Sequence, residues 1–296
     1  MSTLARRLIL AALGILAGAA AWPAAELVLF FQARFASYLP FLAVLGAVTG
    51  ALMGAGFGAA EGITSRIKSR IPAGMLLGAL VGCIGGAVGL LAGQAALWLF
   101  GEAAMRSYRS FRTVVLPVSR AIGWAVLGLF VGVGEGIRAG SAKKAAVGML
   151  GGLVGGLAGG FALEYAGLLF PGLAYTRLIG FLILGLAIGV FYGLVERGLS
   201  FGVLRILTGP LKGKEFLLNQ RRLSIGRSRA NEIALPSYEG LADRQAQIRV
   251  RRGEVSLVNL EPKVAVLVNE RKVQEEKLKY GDVLKIGPAK LFFKYE

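Results

Sequence analysis

Leu223-Ser-Ile-Gly-Arg-Ser228, followed after two residues by Asn231-Glu-Ile-Ala-Leu235, is the stretch on which the reading of this chain turns. Apolar residues alternate with polar ones on either side of a Gly/Ser/Asn-bearing break, the pattern of half-buried strands joined by a turn. The same alternation appears upstream in Gly209-Pro-Leu-Lys-Gly-Lys-Glu-Phe-Leu-Leu218 and downstream in Val255-Ser-Leu-Val258 and Leu291-Phe-Phe-Lys-Tyr295. Before Leu199 none of this is present, and the chain consists of apolar helical runs rich in Gly and Ala. The expected fold class is therefore α + β in separate domains: a Gly-rich six-helix membrane bundle over 1–200 and a β-sandwich over 203–296.

Composition separates the same two parts. Of 44 glycines, 36 precede residue 201, a region with 15 Lys/Arg and 6 acidic residues; the remainder holds 19 Lys/Arg and 11 Asp/Glu. A mean hydropathy of +0.63, concentrated in runs of about 20 apolar residues, marks membrane spans rather than a water-soluble core. Histidine is absent and the single cysteine, Cys83, lies in an apolar run. That excludes Ser-His-Asp and Cys-His catalysis, disulfides and ordinary zinc sites. With no Walker A loop and no cluster of carboxylate ligands, no enzyme activity, metal or cofactor is expected. About half of the net charge of +17 borders membrane helices, which points to orientation and to anionic lipid rather than to nucleic acid.

The C-terminal third resembles a forkhead-associated (FHA) domain. Ile225-Gly-Arg-Ser228 matches the family's Gly-Arg loop, Asn231-Glu-Ile-Ala-Leu235 its Asn-Asp-Ile-x-Leu strand, and Leu257-Val-Asn-Leu260 the strand ending in Asp-Leu. Val268-Asn269 and Leu278-x-x-Gly281-Asp282-x-Leu-x-Ile286-Gly287 complete the pattern. The resemblance implies a two-sheet sandwich whose loops at one end bind phosphothreonine peptides. It also assigns Arg227, Ser228 and Arg244 to that loop end. Two of the family's contacts are altered: Ser-Arg-x-His reads Asp243-Arg244-Gln245-Ala246, and the peptide-gripping Asn is replaced by Val264 in Pro262-Lys-Val264-Ala265-Val266. A carboxylate beside a dianionic phosphate is repulsive, although paired guanidinium groups would still suit a phosphate or a carboxylate. Asp243 would alternatively form an ion pair with Arg244.

Six spans are expected near 8–31, 39–60, 73–100, 118–137, 145–170 and 178–197. Segments on the side of the β-sandwich carry nine Lys/Arg against six on the other, a positive-inside bias. With the cytoplasmic habit of FHA domains, this predicts a multi-pass inner-membrane protein with both termini in the cytoplasm. A second reading of the first run, Arg6-Arg7 followed by apolar and Ala-rich sequence, is a cleaved secretory signal, which would leave five spans.

The helical part repeats itself. A shift of 74 positions superimposes Gly54 on Gly128, Glu61-Gly-Ile63 on Glu135-Gly-Ile137, Gly74-Met-Leu76 on Gly148-Met-Leu150, and Gly78, Gly82 and Gly86 on Gly152, Gly156 and Gly160. A partial third copy, Gly189, Phe191, Gly193 and Glu196, matches Gly128, Phe130, Gly132 and Glu135. The simplest closure is a pseudo-threefold bundle of three hairpins, the third made from the sixth and first helices. Glycines four apart permit close backbone approach where lipid supplies little hydrophobic drive; the same stripes would also serve a homo-oligomer seam or a pore.

The equivalent glutamates Glu61, Glu135 and Glu196 end spans on the cytoplasmic side, where the helix dipole does not favour a carboxylate. Pairing with Arg66, Arg138 and Arg197, near in sequence, is expected; a cation-admitting acidic ring is the alternative. Glu164 and Gln94 lie deeper in their spans and are site candidates on that ground. The reading that follows is a membrane-anchored adaptor or scaffold that docks a protein partner through a degenerate FHA domain, independently of phosphorylation. Two rivals are a transporter or channel regulated by that domain and a phosphothreonine-dependent signalling protein.

Overall fold

The computed structural model describes residues 3–65, 68, 70–104, 108–138, 140–170, 175–198, 200–251, 253–262 and 264–294. Contacts divide the chain into two compact units, residues 6–196 and residues 197–296 with the first five.

The first unit contains six long helices: α1 (Thr3–Phe30), α2 (Tyr38–Gly58), α3 (Arg70–Ala104), α4 (Leu116–Arg138), α5 (Ala142–Leu169) and α6 (Thr176–Gly198). Each is long and apolar enough to cross a membrane. α3 is longer than the run 73–100 suggests, and α4 is preceded by a π-helical turn, Phe111–Val115.

Glycines set how these helices meet. A Cβ added to Gly50 would lie 2.1 Å from the Gly82 carbonyl oxygen, and the pairs Gly46·Gly86, Gly54·Gly78 and Gly58·Gly74 repeat this along α2 and α3. α4 and α5 meet the same way through Gly128·Gly152 and Gly132·Gly148, and α6 meets α1 through Gly185·Gly14 and Gly189·Leu10. Only glycine tolerates backbones so near. Successive hairpins touch through Gly85 against Phe130 and Gly123 against Gly89, Gly155 against Ile188, and Gly56 against Ala17. The six helices thus form a closed ring, with α2, α4 and α6 contributing its interior.

That interior is filled by apolar side chains at repeat-related positions. Met53, Leu127 and Ile188, separated by the offsets of 74 and 61 residues, are each fully buried. They share one cluster with Phe57, Trp124, Val131, Phe181 and Leu184. Toward the glutamate-bearing ends, Phe57, Val131 and Tyr192 make the next equivalent layer and line a cavity of about 10 Å³, room for about one water.

The second unit is a β-sandwich. Its six-stranded sheet has the order β2-β1-β11-β10-β7-β8 and its five-stranded sheet β4-β3-β5-β6-β9. The strands are β1 (Val203–Ile206), β2 (Glu215–Leu217), β3 (Arg222–Gly226), β4 (Ile233–Ala234), β5 (Ala246–Arg251), β6 (Glu254–Asn259), β7 (Val266–Val268), β8 (Arg271–Val273), β9 (Glu275–Lys277), β10 (Val283–Ile286) and β11 (Ala289–Lys294). Alternation dictates the core: Leu204, Ile225, Ile248, Leu257, Val266, Leu284 and Leu291 point inward, as a period of two requires. Because the strands run antiparallel apart from the β3·β4 pair, the loops β3–β4, β4–β5 and β6–β7 gather at one end. The chain enters at the other.

Candidate functional site

The loop end is assembled from backbone outward. Gly226 closes β3 with no room for a side chain, since a Cβ there would lie 2.3 Å from the Asp243 carbonyl oxygen. Without that Cβ, the β3–β4 and β4–β5 loops lie against each other: the Arg227 N–H donates to Ala242 O at 3.0 Å and the Ser228 N–H to Asp243 O at 3.3 Å. Buried Asn231 ties the pair together, its Nδ2 donating to Ser228 O at 3.0 Å and Asp243 O at 2.6 Å. The Asn231-Glu-Ile run is therefore a clamp on the loops as well as a strand.

Gln245 does the same work for the third loop. Its fully buried amide donates through Nε2 to Asn259 Oδ1 at 3.1 Å, Glu261 O at 2.9 Å and Val264 O at 3.2 Å, while Oε1 accepts from the Ala242 N–H at 3.3 Å. Asn259 adds a bond to Val264 O at 3.3 Å. Sequence reasoning passed over Gln245 because one amide just before a strand carries no periodic signal. Its neighbours Asp243 and Arg244 are the residues that the motif highlights.

On this scaffold Arg227 and Arg244 are exposed, Ser228 is half-buried, and Asp243 is exposed beside them. The structure thus brings Arg227, Ser228 and Arg244 to one end, on adjoining loops. The alternative of an Asp243–Arg244 ion pair is not found: among the described residues neither Arg227 nor Arg244 is paired with an acid. Consecutive residues at a turn point their side chains apart.

Residues 205–296 match the family of the Yop-YscD cytoplasmic domain, described as the inner membrane component of T3SS. Residues 205–296 form an FHA-type domain. Similar solved structures include an FHA domain from a study of phosphothreonine-dependent FHA interactions, at 26% identity over 32% of this chain and 95% of that one, TM-score 0.29. The FhaA FHA domain, solved in complex with an intracellular protein domain, is 27% identical over 31% of this chain and 98% of its own, TM-score 0.29. An FHA domain from an Arabidopsis thaliana hypothetical protein is 23% identical over 31% and 83%, TM-score 0.30. No curated protein matches the chain.

Outside the FHA-type domain, three candidate carboxylates of the helical unit, Glu61, Glu164 and Glu196, are ion-paired. Glu196, almost wholly buried, receives two bonds from one guanidinium, Arg6 Nε at 2.9 Å and Nη2 at 3.0 Å, and Arg6 Nη1 donates to Thr64 Oγ1 at 3.0 Å. Glu61 is met by Arg138, by Arg70 at 3.5 Å and by buried Lys144 at 3.4 Å. These pairs join different hairpins, since Arg138 serves Glu61 of another hairpin and Glu196 is served by Arg6 of α1. Ring closure brings the ends of neighbouring hairpins together, so the nearest cation belongs to a different repeat. The expected pairs with Arg66 and Arg197, and that of Glu135 with Arg138, involve side chains outside the described residues.

Glu164 accepts from Arg120 at 3.0 Å, which accounts for a carboxylate in an apolar helix without a ligand. Gln94 is half-buried in α3. Near the opposite ends of α1 and α6, Arg177 binds Glu26 at 2.8 Å. Among the described residues no group of three or more Cys, Asp or Glu side chains is placed to hold a metal ion.

Proposed function

We propose that this chain is a membrane-anchored adaptor: six spans hold it in the inner membrane, with both termini cytoplasmic, and its FHA-type domain docks a protein partner without requiring phosphorylation. The match of residues 205–296 to a family described as the inner membrane component of T3SS, cytoplasmic domain, supports this reading, and a scaffold role in a membrane assembly is the reading adopted. The observation that carries it is the loop end, where exposed Arg227 and Arg244 sit on hydrogen-bonded loops with an acid, Asp243, in place of a hydroxyl. Such a surface favours a carboxylate on a folded partner over a phosphate dianion, which the Asp243 carboxylate would repel. The apolar interior layer of Met53, Leu127 and Ile188 supports anchoring over conduction.

Crosslinking and affinity isolation of the intact protein from native membranes tests the proposal. A stoichiometric protein partner, lost on Arg227→Glu with Arg244→Glu, is expected. Recovery of the protein alone, together with solute uptake in reconstituted vesicles, would replace the adaptor with the transporter. A tenfold phosphopeptide preference, equivalent to about 1.4 kcal/mol, would replace it with the phosphothreonine sensor.

A further inference from the structure

The end of the sandwich opposite the recognition loops carries charge that the fold itself does not use. Here β1 begins at Val203, opposite Leu217 and Lys294; the same end holds the β2–β3, β5–β6, β7–β8 and β9–β10 turns. Arg221, Arg222, Arg251, Arg271 and Lys279 are all exposed there, and none is paired with an acid among the described residues. Four of the local acids are already engaged. Glu254 binds Lys277, Glu215 binds Lys294 at 2.8 Å, Glu270 binds Lys290 at 3.4 Å, and Asp282 accepts from Asn269 Nδ2 at 2.8 Å and the Lys279 N–H at 2.7 Å.

Two further observations point to a ligand. Arg222 stands directly opposite Arg249 across β3 and β5, on the outward face; like charges in that register destabilise a sheet unless an external anion offsets them. Tyr280, 55% exposed, stacks on Phe293 with ring centroids 5.0 Å apart, and its hydroxyl donates to Phe201 O at 3.4 Å. An exposed aromatic with a polar tip beside Arg and Lys is the composition of a membrane–water interface.

Chain length supplies the occupant. Only residues 199–202 separate α6 from β1, a tether of at most about 14 Å when fully extended. A domain so attached stays near the headgroup layer of an anionic leaflet, within a few Debye lengths. We infer that this basic end of the sandwich docks on anionic lipid headgroups, leaving the Arg227/Arg244 loop end turned toward the cytoplasm. The inference rests on the proposed reading of α1–α6 as spans with the sandwich on the cytoplasmic side.

Full-length protein with Cys83→Ser, carrying a single donor fluorophore at Gln220→Cys or at Ser237→Cys, would be placed in nanodiscs with a headgroup-labelled acceptor lipid. With about one-third anionic lipid, transfer from position 220 should rise roughly twofold over zwitterionic discs and return to that level at about 0.5 M salt. Transfer from position 237 should not rise. Arg221→Glu with Arg222→Glu and Arg251→Glu should abolish the increase, and so should Arg271→Glu with Lys279→Glu, which alters other strands and guards against a folding artefact. Equal transfer in both lipids, or an increase that survives both sets of changes, overturns the inference and leaves an acidic protein as the partner of this end. Arg227→Glu with Arg244→Glu, which disables the proposed partner site, should leave the lipid response intact, so the two readings fail separately.

Discussion

Substituting Gly82 by Ala tests the packing of the helical unit with one added methyl group. The new Cβ would lie 2.1 Å from Gly50 O, against an ordinary contact of 3.4 Å or more. Both atoms at risk are held by helical backbone, so neither can rotate away and the helices themselves must part by the difference, about 1.3 Å. A gap of that size forfeits about half of the dispersion well per atom pair; over some 40 pairs at about 0.15 kcal/mol each, the loss is about 3 kcal/mol. Alanine returns about 1 kcal/mol of helix propensity relative to glycine. The expected net cost is about 2 kcal/mol, or on the order of 5 °C in midpoint for a unit of this size. Gly156→Ala, which meets Trp124 O at 2.3 Å, should behave alike. Gly167 in α5 is the control: a Cβ there has nothing within 4 Å, so Gly167→Ala should be neutral or slightly stabilising. Thermal unfolding of the three variants in one detergent decides the matter. If Gly82→Ala and Gly167→Ala unfold together at the wild-type temperature, the glycines do not set the helix spacing and the account of the bundle is wrong.

Other consequences can be measured directly. Arg6→Ala should cost about 3 to 5 kcal/mol, because it strands a buried carboxylate, whereas Arg6→Leu with Glu196→Leu should recover most of that loss; equal stability of both would show that the pair is exposed to water. Gln245→Leu should accelerate amide exchange in residues 242–245 and 259–264 while β1 and β11 keep their protection, and uniform exchange across the sandwich would refute its local role. The wild-type FHA-type domain should not distinguish phosphothreonine from threonine in matched peptides, and Asp243→Ser with Ala246→His and Val264→Asn should gain such a preference, read by calorimetry. Labelling of single cysteines introduced at positions 5 and 296 in a Cys83→Ser background should fail from the outer face of sealed cells; labelling of either would overturn the topology.

The fold was legible where the physics is local or periodic. Lipid demands long apolar runs, and the offset of 74 residues between Glu61 and Glu135 indicates which helices pair. The third hairpin was legible because Glu196 repeats the pattern and α1 supplies the missing direction. Gly-Arg at 226–227 and the Asn231 run marked the sandwich because the turn and clamp they make depend on those residue types. What stayed hidden was the pairing of charges. Glu61 meets Arg138 and Lys144 only because the ring closes, and nothing in the spacing of residue 61 to residue 144 announces it. Gln245 was hidden for a related reason: its four hydrogen bonds join the β4–β5 loop to the end of β6 and the β6–β7 loop, whose proximity belongs to the sandwich and not to the local sequence around residue 245.

The filled interior bears on what the helices are for. An ion crossing at the level of Met53, Leu127 and Ile188 would exchange water for apolar side chains, a cost on the order of tens of kcal/mol unless polar groups replaced the hydration shell. Among the described residues, the candidate carboxylates stand elsewhere: Glu61 and Glu196 are ion-paired near helix ends, and Glu164 is bound to Arg120. Opening a path would require the glycine contacts to separate, and those contacts bring backbone against backbone, where a small displacement forfeits many atom pairs at once. A bundle built this way resists rearrangement. Resistance is a liability in a gate, which must change state, and an asset in an anchor, whose task is to keep an attached recognition domain at the membrane while partners assemble on it.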